Sequence, residues 1–255
     1  MLNSAVRKTL PFTSFLILLL IWELTVRFAG WSTQVLPAPT QVVMGAVELL
    51  RDGRLIKDSV ASLYRVTVGF YLAVIIGVPL GIFLGRVALA YQMLNPLIQF
   101  LRPISPLAWI PLAMLWFGIG ELPAIFLIFL SCFFALVTST MISVMSIKPI
   151  HFQVAMNFGF SRYEMLQKVI IPAILPEIIT SFRITVGIAW LVVVAAEMIA
   201  VQSGLGFLIL DSRNALRMDY VLVGMITIGL IGIFLDRGMK SLTEIRELEW
   251  RRFVH

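Results

Sequence analysis

Apolar residues run along this chain in stretches long enough to cross a lipid bilayer. A membrane-spanning helix needs about 20 consecutive, mostly apolar residues. The stretches predict six helical spans at about residues 10–30, 62–85, 92–117, 121–147, 177–201 and 219–236. We therefore expect an all-α, polytopic membrane protein in which residues 1–255 form a single transmembrane domain.

The first apolar stretch has features of both a signal peptide and a retained helix. Arg7 and Lys8 precede it, as in a signal peptide, but the stretch continues to Phe28. Cleavage after Ala29 would place Arg27 where the cleavage site needs a small residue. A retained helix is therefore favoured over a cleaved signal, with Glu23 reaching toward the interface or toward Arg27.

Composition excludes a water-soluble fold, because 60% of the residues are hydrophobic and only 13% are charged. The net charge of +6 is interpreted as a signal of orientation rather than of nucleic-acid binding. With both termini in the cytoplasm, thirteen of the 20 Lys and Arg residues lie in inner segments, including a tail at 237–255. The other seven, Arg65 among them, are assigned to outer segments. Cys132 is the single cysteine, so no disulfide or cysteine-based metal site is expected.

Two segments near the N-terminus carry packing signals. The periplasmic segment at about 31–60 contains a proline-rich stretch, after which Thr40 is predicted to cap an amphipathic surface helix. The alternative is a plain solvated connector. In the second span, small residues recur at every fourth position, which allows another helix to approach closely. Packing inside one protomer is favoured over dimerisation for this stripe, which consists of Gly69, Ala73, Gly77, Gly81 and Gly85.

Prolines interrupt the third span at Pro103, Pro106 and Pro111. Broken helices persist at membrane depth where neighbours or a water-filled cavity satisfy the backbone. The segment could line a translocation path, with Trp109 and Trp116 as candidate path residues. The alternative is an interfacial helix and a kinked span without substrate contact.

The loop at about 148–173 carries the most specific pattern. It is predicted to form a short helix, a break at Gly159, and a second helix that Pro172 separates from the next span. The loop contains more apolar residues, such as Val154 and Phe158, than a solvent-exposed loop without a binding partner would. A surface that binds a partner is therefore implied.

This loop resembles the EAA motif of binding-protein-dependent ABC importer permeases, in which Glu-Ala-Ala, three residues, Gly and nine residues precede Ile-x-Leu-Pro. The corresponding residues here are Gln153, Val154, Ala155, Gly159, Val169, Ile171 and Pro172. Gln153 replaces the acidic residue, which puts a salt bridge to the ATPase in doubt. The resemblance implies a coupling surface for an ATPase subunit, formed by Gln153, Val154, Ala155, Asn157, Phe158, Gly159, Phe160, Ser161 and Arg162.

Further segments are similar to the nitrate, sulfonate, taurine and bicarbonate branch of that family: 36–40, 101–111, 116–120, 194–197 and 203–206. The resemblance implies a type I importer permease fold in the bacterial inner membrane. It also implies a second copy of the chain, two ATPase subunits and a periplasmic solute-binding protein; a heterodimeric permease stays open. The sequence contains no P-loop, so ATP and Mg²⁺ are expected on the ATPase and no cofactor on this chain.

A few charged residues fall within or beside the later spans. Glu197 is expected to pair with Arg213 or Arg217, either as a gate or as a structural contact. Arg183 either extends to the interface or provides a positive stop for an anion. Residues 202–206 are interpreted as a helix stop followed by a short re-entrant or surface turn.

The resemblance implies alternating-access import of a small oxyanion such as a sulfonate, taurine or nitrate. A thiamine-pyrimidine or other heterocyclic precursor is the alternative substrate. An ATP-independent secondary transporter is less favoured, because neither inverted repeats nor several intramembrane ionisable residues are evident. A membrane enzyme is also disfavoured, because Glu23, Arg183 and Glu197 are scattered.

Overall fold

The structure, a computed structural model, describes residues 4–28 and 34–253, with side chains except those of 4–12, 15 and 242–253. Within these ranges the chain is helical and contains no strand. The α-helices are α1 Ser4–Phe28, α2 Pro39–Arg51, α3 Arg54–Arg86, α4 Ala88–Leu101, α5 Ile110–Phe117, α6 Glu121–Met145, α7 Pro149–Asn157, α8 Arg162–Met165, α9 Ile171–Ala200, α10 Leu205–Asn214 and α11 Met218–Phe253. A 3₁₀ turn at Pro106–Trp109 precedes α5, and a π turn at Leu166–Ile170 joins α8 to α9.

Among the described residues, four helical segments are long and apolar enough to cross a membrane: Arg54–Arg86, Glu121–Met145, Arg162–Ala200 and Met218–Ser241. The third predicted span is a bent pair rather than one helix, because α4 and the segment Pro106–Phe117 meet at 88°. This pair would supply a fifth span. Helix α1 occupies the position of the predicted first span. The all-α, polytopic class is confirmed.

The described residues fall into two compact units. The first is bounded by Met1–Ala61 and Ser203–Gly229, and the second by Ser62–Gln202 and Leu230–His255. The first unit therefore contains α1, α2 and α10 with the beginnings of α3 and α11. The second contains α4 to α9 and the remainder of α3 and α11.

Two sequence predictions in the first unit need correction. Helix α2 begins at Pro39, and the backbone N–H of Ala38 donates to Gln41 Oε1 at 3.1 Å, so Thr40 lies inside the helix and is not its cap. The Thr40 hydroxyl instead donates to Glu23 at 3.1 Å. The interpretation of residues 202–206 holds only in part. Helix α9 ends at Ala200, as the predicted helix stop requires, but α10 already begins at Leu205, which is fully buried, so only the residues before it can form the predicted re-entrant or surface turn.

In the second unit, the small-residue stripe packs against α6 of the same chain. A methyl group built on Gly81 would lie 2.6 Å from Thr140 Cβ, and one on Gly85 would lie 2.6 Å from Val144 Cβ. Real carbon atoms do not approach so closely, so only glycine allows this helix spacing. The prediction of packing within one protomer is confirmed.

Pro172 does not end the helix that precedes it, contrary to the sequence prediction. Helical structure continues from Arg162 through the π turn into α9, where Pro172 occupies the first turn. A proline in that position lacks an N–H that a regular α-helix would use. The π turn changes the hydrogen-bond register immediately before it, so the chain continues instead of breaking.

Candidate functional site

The predicted coupling surface is a helix–turn–helix built around a glycine with positive φ. Helix α7 ends at Asn157, and Gly159 follows with φ of 71°, a conformation that costs little only for glycine. The Phe160 N–H then donates to the Ala155 carbonyl at 3.0 Å and closes the turn. The predicted break at Gly159 is confirmed.

A capping box starts the second helix of this segment. The Ser161 hydroxyl accepts from the Glu164 N–H at 3.2 Å, and the Ser161 N–H donates to Glu164 Oε2 at 3.0 Å. Lys168 also donates to Glu164 at 2.9 Å. These contacts satisfy backbone donors that the helix start leaves open, and so fix the direction in which α8 leaves the turn.

One face of the segment is anchored and the other is open. Ala155 and Met165 are buried against Ile170, Ile174 and neighbouring apolar residues of the second unit. The predicted surface residues Gln153, Val154, Asn157, Phe158, Ser161 and Arg162 are exposed, whereas Phe160 is half-buried and Ala155 is not part of the surface. The exposed apolar side chains of the segment also include Met156 and Tyr163. Phe158 is the most exposed of these three side chains, at 76%.

A second candidate site is a buried ion cluster in the same unit. Arg65 of α3 is fully buried and donates from Nη1 to Glu197 Oε1 of α9 at 2.5 Å. It also donates from Nε and Nη2 to the two carboxylate oxygens of Glu121 in α6, at 2.5 and 2.8 Å. Ser62 donates to the second oxygen of Glu197 at 2.9 Å. One guanidinium therefore links three helices.

The partner assigned to Glu197 from sequence is wrong. Its ion-pair partner is Arg65, whereas Arg217 binds Glu48 and Asp219. Arg65, which the charge count placed in an outer segment, lies three turns inside α3 and is fully buried. The sequence contained a signal for the position of Arg65 on the packed face of α3. Arg65 precedes Gly69 by four residues and so extends the small-residue stripe.

The other gate candidates are dispersed. Arg183 binds both carboxylate oxygens of Asp236, at 2.8 and 3.0 Å, which neither sequence alternative anticipated. Arg213 is exposed and contacts Asn214. Trp109 packs on an apolar cluster around Ala113 and Ala196, whereas Trp116 is 55% exposed and stands edge-on to Phe117 and Phe126. Their role in a path or gate stays a prediction.

Among the described residues, no group of three or more His, Cys, Asp or Glu side chains could hold a metal ion. The long apolar helices, the buried ion cluster and the exposed apolar turn together define a multi-pass membrane protein with a surface suited to a protein partner.

Comparison with known proteins places this membrane protein in a family. Residues 77–243 match the binding-protein-dependent transport system inner membrane component, and the chain belongs to this family. It is thus a transport subunit of the inner membrane, as the sequence predicted.

Two curated relatives cover nearly the whole chain. The taurine transport system permease protein TauC of Escherichia coli (strain K12) is 36% identical over 239 residues, which cover 92% of this chain and 87% of that protein. The nitrate import permease protein NrtB of Leptolyngbya laminosa is 33% identical over 246 residues, again covering 92% and 87%. These relatives confirm the predicted branch of the permease family.

A solved structure supports the fold independently. An inward-facing structure of the MetNI methionine ABC transporter aligns with a TM-score of 0.60 at 18% identity, covering 75% of this chain and 97% of the matched chain. At this identity the likeness concerns the fold alone, and it confirms the importer-permease fold.

Proposed function

We propose that this chain is the permease subunit of an ATP-driven importer that moves a small oxyanion, such as taurine, another organosulfonate or nitrate, into the cytoplasm. The observation that carries the proposal is the coupling segment, whose anchored base presents exposed apolar residues around a glycine turn. The substrate class is supported by the names of the taurine and nitrate relatives.

The coupling segment is the proposed docking surface of a separate ATPase subunit. Met156, Phe158 and Tyr163 are 61%, 76% and 65% exposed, which is unfavourable for side chains of this kind in water. A partner that covers them gains apolar burial. Because Ala155 and Met165 fix the base of the segment, a displacement of the docked partner is transmitted to α9.

In the proposed assembly, two copies of this chain pair with two ATPase subunits and receive substrate from a periplasmic binding protein. ATP and Mg²⁺ bind to the ATPase subunits, and both termini of the permease, with the tail at 237–255, face the cytoplasm. ATP binding draws the coupling segments together and opens the helices toward the binding protein. Hydrolysis returns them to the inward-facing state.

Co-purification with the candidate ATPase tests the docking surface. Phe158→Ala removes the most exposed aromatic ring of the segment, and Phe234→Ala, which truncates a 70% exposed ring on α11, is the matched control. Truncation of a central aromatic contact typically costs about 2 kcal/mol of binding, or about thirtyfold in affinity. We expect this loss for Phe158→Ala and none for the control. Equal capture of the ATPase by both variants would show that the coupling segment is not part of the interface.

A second experiment tests the substrate class. The permease, ATPase and binding protein are reconstituted in proteoliposomes, and ATP-dependent uptake of taurine, nitrate and a thiamine-pyrimidine precursor is measured. Uptake of an oxyanion supports the proposal. Uptake of the heterocycle alone would replace it with the alternative substrate, and uptake without ATP would indicate a secondary transporter.

A further inference from the structure

Helix α4 carries a line of polar residues along one face. Tyr91, Asn95 and Gln99 follow one another at intervals of four, and Arg102 continues the line at the C-cap. Four-residue spacing keeps side chains on one side of a helix. The opposite side is apolar and exposed, with Met93 at 69%. Polar side chains at membrane depth are costly unless they face protein, water or a ligand.

The polar line faces a cavity between α4 and α6. The cavity has a volume of about 640 Å³ and is open on one side. Ligand sites for small molecules typically have about 300–1,000 Å³. Residues of α6, including Thr138 and Met141, form the opposite wall. The polar residues of α4 thus border a space large enough for water or a small ligand.

The charge of the lining is positive. Arg102 is the one charged residue among those that line the cavity, and none of the lining residues is acidic. The hydrogen bond between the two amide side chains of the lining is weak, since Gln99 Nε2 lies 3.5 Å from Asn95 Oδ1. The amides can therefore turn toward a ligand. A guanidinium and amide N–H groups are the donors that oxyanions bind, and the guanidinium fork matches two oxygens at once.

We propose that the α4–α6 cavity binds the transported oxyanion within the permease, with Arg102 supplying the charge and Asn95 and Gln99 the hydrogen bonds. The ligand class rests on the proposed function, whereas the preference for anions rests on the lining itself. Trp109 and Trp116, the path candidates from the sequence, lie outside this lining.

Thiol modification of the purified full-length chain tests the site without transport. Gln99→Cys places a thiol in the cavity, and Leu97→Cys places one on the exposed apolar side of the same helix. The native Cys132 is fully buried and provides the unreactive background. The probes are a sulfonate-bearing and a trimethylammonium-bearing methanethiosulfonate, each normalised to its rate with a free thiol.

At Gln99→Cys we expect the sulfonate reagent to react about tenfold faster than the cationic one. A unit charge one helical turn away attracts one probe and repels the other. Arg102→Gln should reduce the ratio to about threefold or less, and Arg102→Lys should retain most of it. Leu97→Cys should show no preference, and excess taurine should slow modification only in the cavity. Asn95→Cys serves as the second variant if Gln99→Cys does not fold.

The proposed site would be refuted if the ratio of the two modification rates were equal at Gln99→Cys and Leu97→Cys. It would also be refuted if Arg102→Gln left the ratio at Gln99→Cys unchanged. Transport separates this failure from failure of the proposed function. Anion preference in the cavity without uptake of taurine or nitrate would refute the proposed substrates and keep the site. If the Arg102→Gln variant takes up taurine or nitrate with the wild-type KM, the proposed site is refuted and the proposed function is kept.

Discussion

Removal of Glu197 tests how the buried ion cluster holds the helices together. Glu197→Leu deletes the carboxylate that lies 2.5 Å from Arg65 Nη1, in a pair whose side chains are both 0% exposed. Breaking a buried ion pair typically costs about 3–5 kcal/mol, because an uncompensated charge remains inside. Glu121 still binds the other edge of the guanidinium. We therefore expect a loss near the lower limit, about 3 kcal/mol of unfolding free energy.

Two further variants separate the charge from the shape. Arg65→Met combined with Glu197→Leu removes both charges, and apolar replacements of whole buried pairs are often neutral or stabilising. The double variant should therefore recover at least half of the loss. Glu121→Gln is the matched control, since its side chain is 51% exposed and its contribution should not exceed about 1 kcal/mol.

Unfolding of the purified chain by sodium dodecyl sulfate in mild-detergent micelles, followed by circular dichroism, provides these free energies. The reasoning fails if Glu197→Leu loses no more than Glu121→Gln. It also fails if the double variant is less stable than Glu197→Leu alone, because that result would mean that Arg65 stabilises the fold without its partner.

Three other predictions concern separate parts of the chain. Gly81→Ala should destabilise the protein by about 1–3 kcal/mol, because its methyl group would overlap α6. Gly187→Ala is the control and should be neutral or stabilising, because no atom lies within 4 Å of the new methyl group. The same unfolding titration measures both variants. Ser161→Ala should remove about 1 kcal/mol of local stability at the coupling segment, visible as faster amide exchange in α8 but not in α6. Hydrogen bonds from Tyr220 and Arg217 lower the pKa of Glu48, so its stabilising contact is complete above about pH 4.5 and is lost as the pH falls through the lowered value. The difference in stability between wild type and Glu48→Gln should therefore shrink at acid pH, and a difference that grows would contradict the assignment.

The transmembrane class and the coupling segment could be predicted from sequence because each rests on a local signal. Long apolar stretches specify spans whatever they pack against. The break at Gly159 follows from the conformational freedom of glycine, and the structure gives that residue a positive φ. The consequence of Pro172 was misjudged, since the choice between a helix end and a π turn depends on packing around residues 166–170. Ala155 was placed on the coupling surface but is buried.

The long-range ion pairs were not predicted, because they join residues that are distant along the chain. The local pair of Glu23 with Arg27 was one of the two predicted alternatives and is present at 2.6 Å. Arg65 and Glu197 are separated by 132 positions, and Arg183 and Asp236 by 53. Charge counting assigned Arg65 to an outer segment although the predicted second span, which begins at residue 62, contains it, and although its four-residue offset from Gly69 places it on the packed face.

That offset shows that one face of α3 contacts α6 by two different means. Toward the C-terminal end, Gly81 permits close backbone approach, while Arg65 at the other end binds Glu121 at the start of α6. The two contacts are sixteen residues apart, or about 24 Å along the helix, and share no partner. Changes at sites so far apart usually add to within about 0.5 kcal/mol. Gly81→Ala and Glu197→Leu should therefore lose stability additively when combined. A combined loss that is smaller by more than about 1 kcal/mol would mean that loss of the Glu197 contact between α3 and α9 also loosens the packing of α3 on α6.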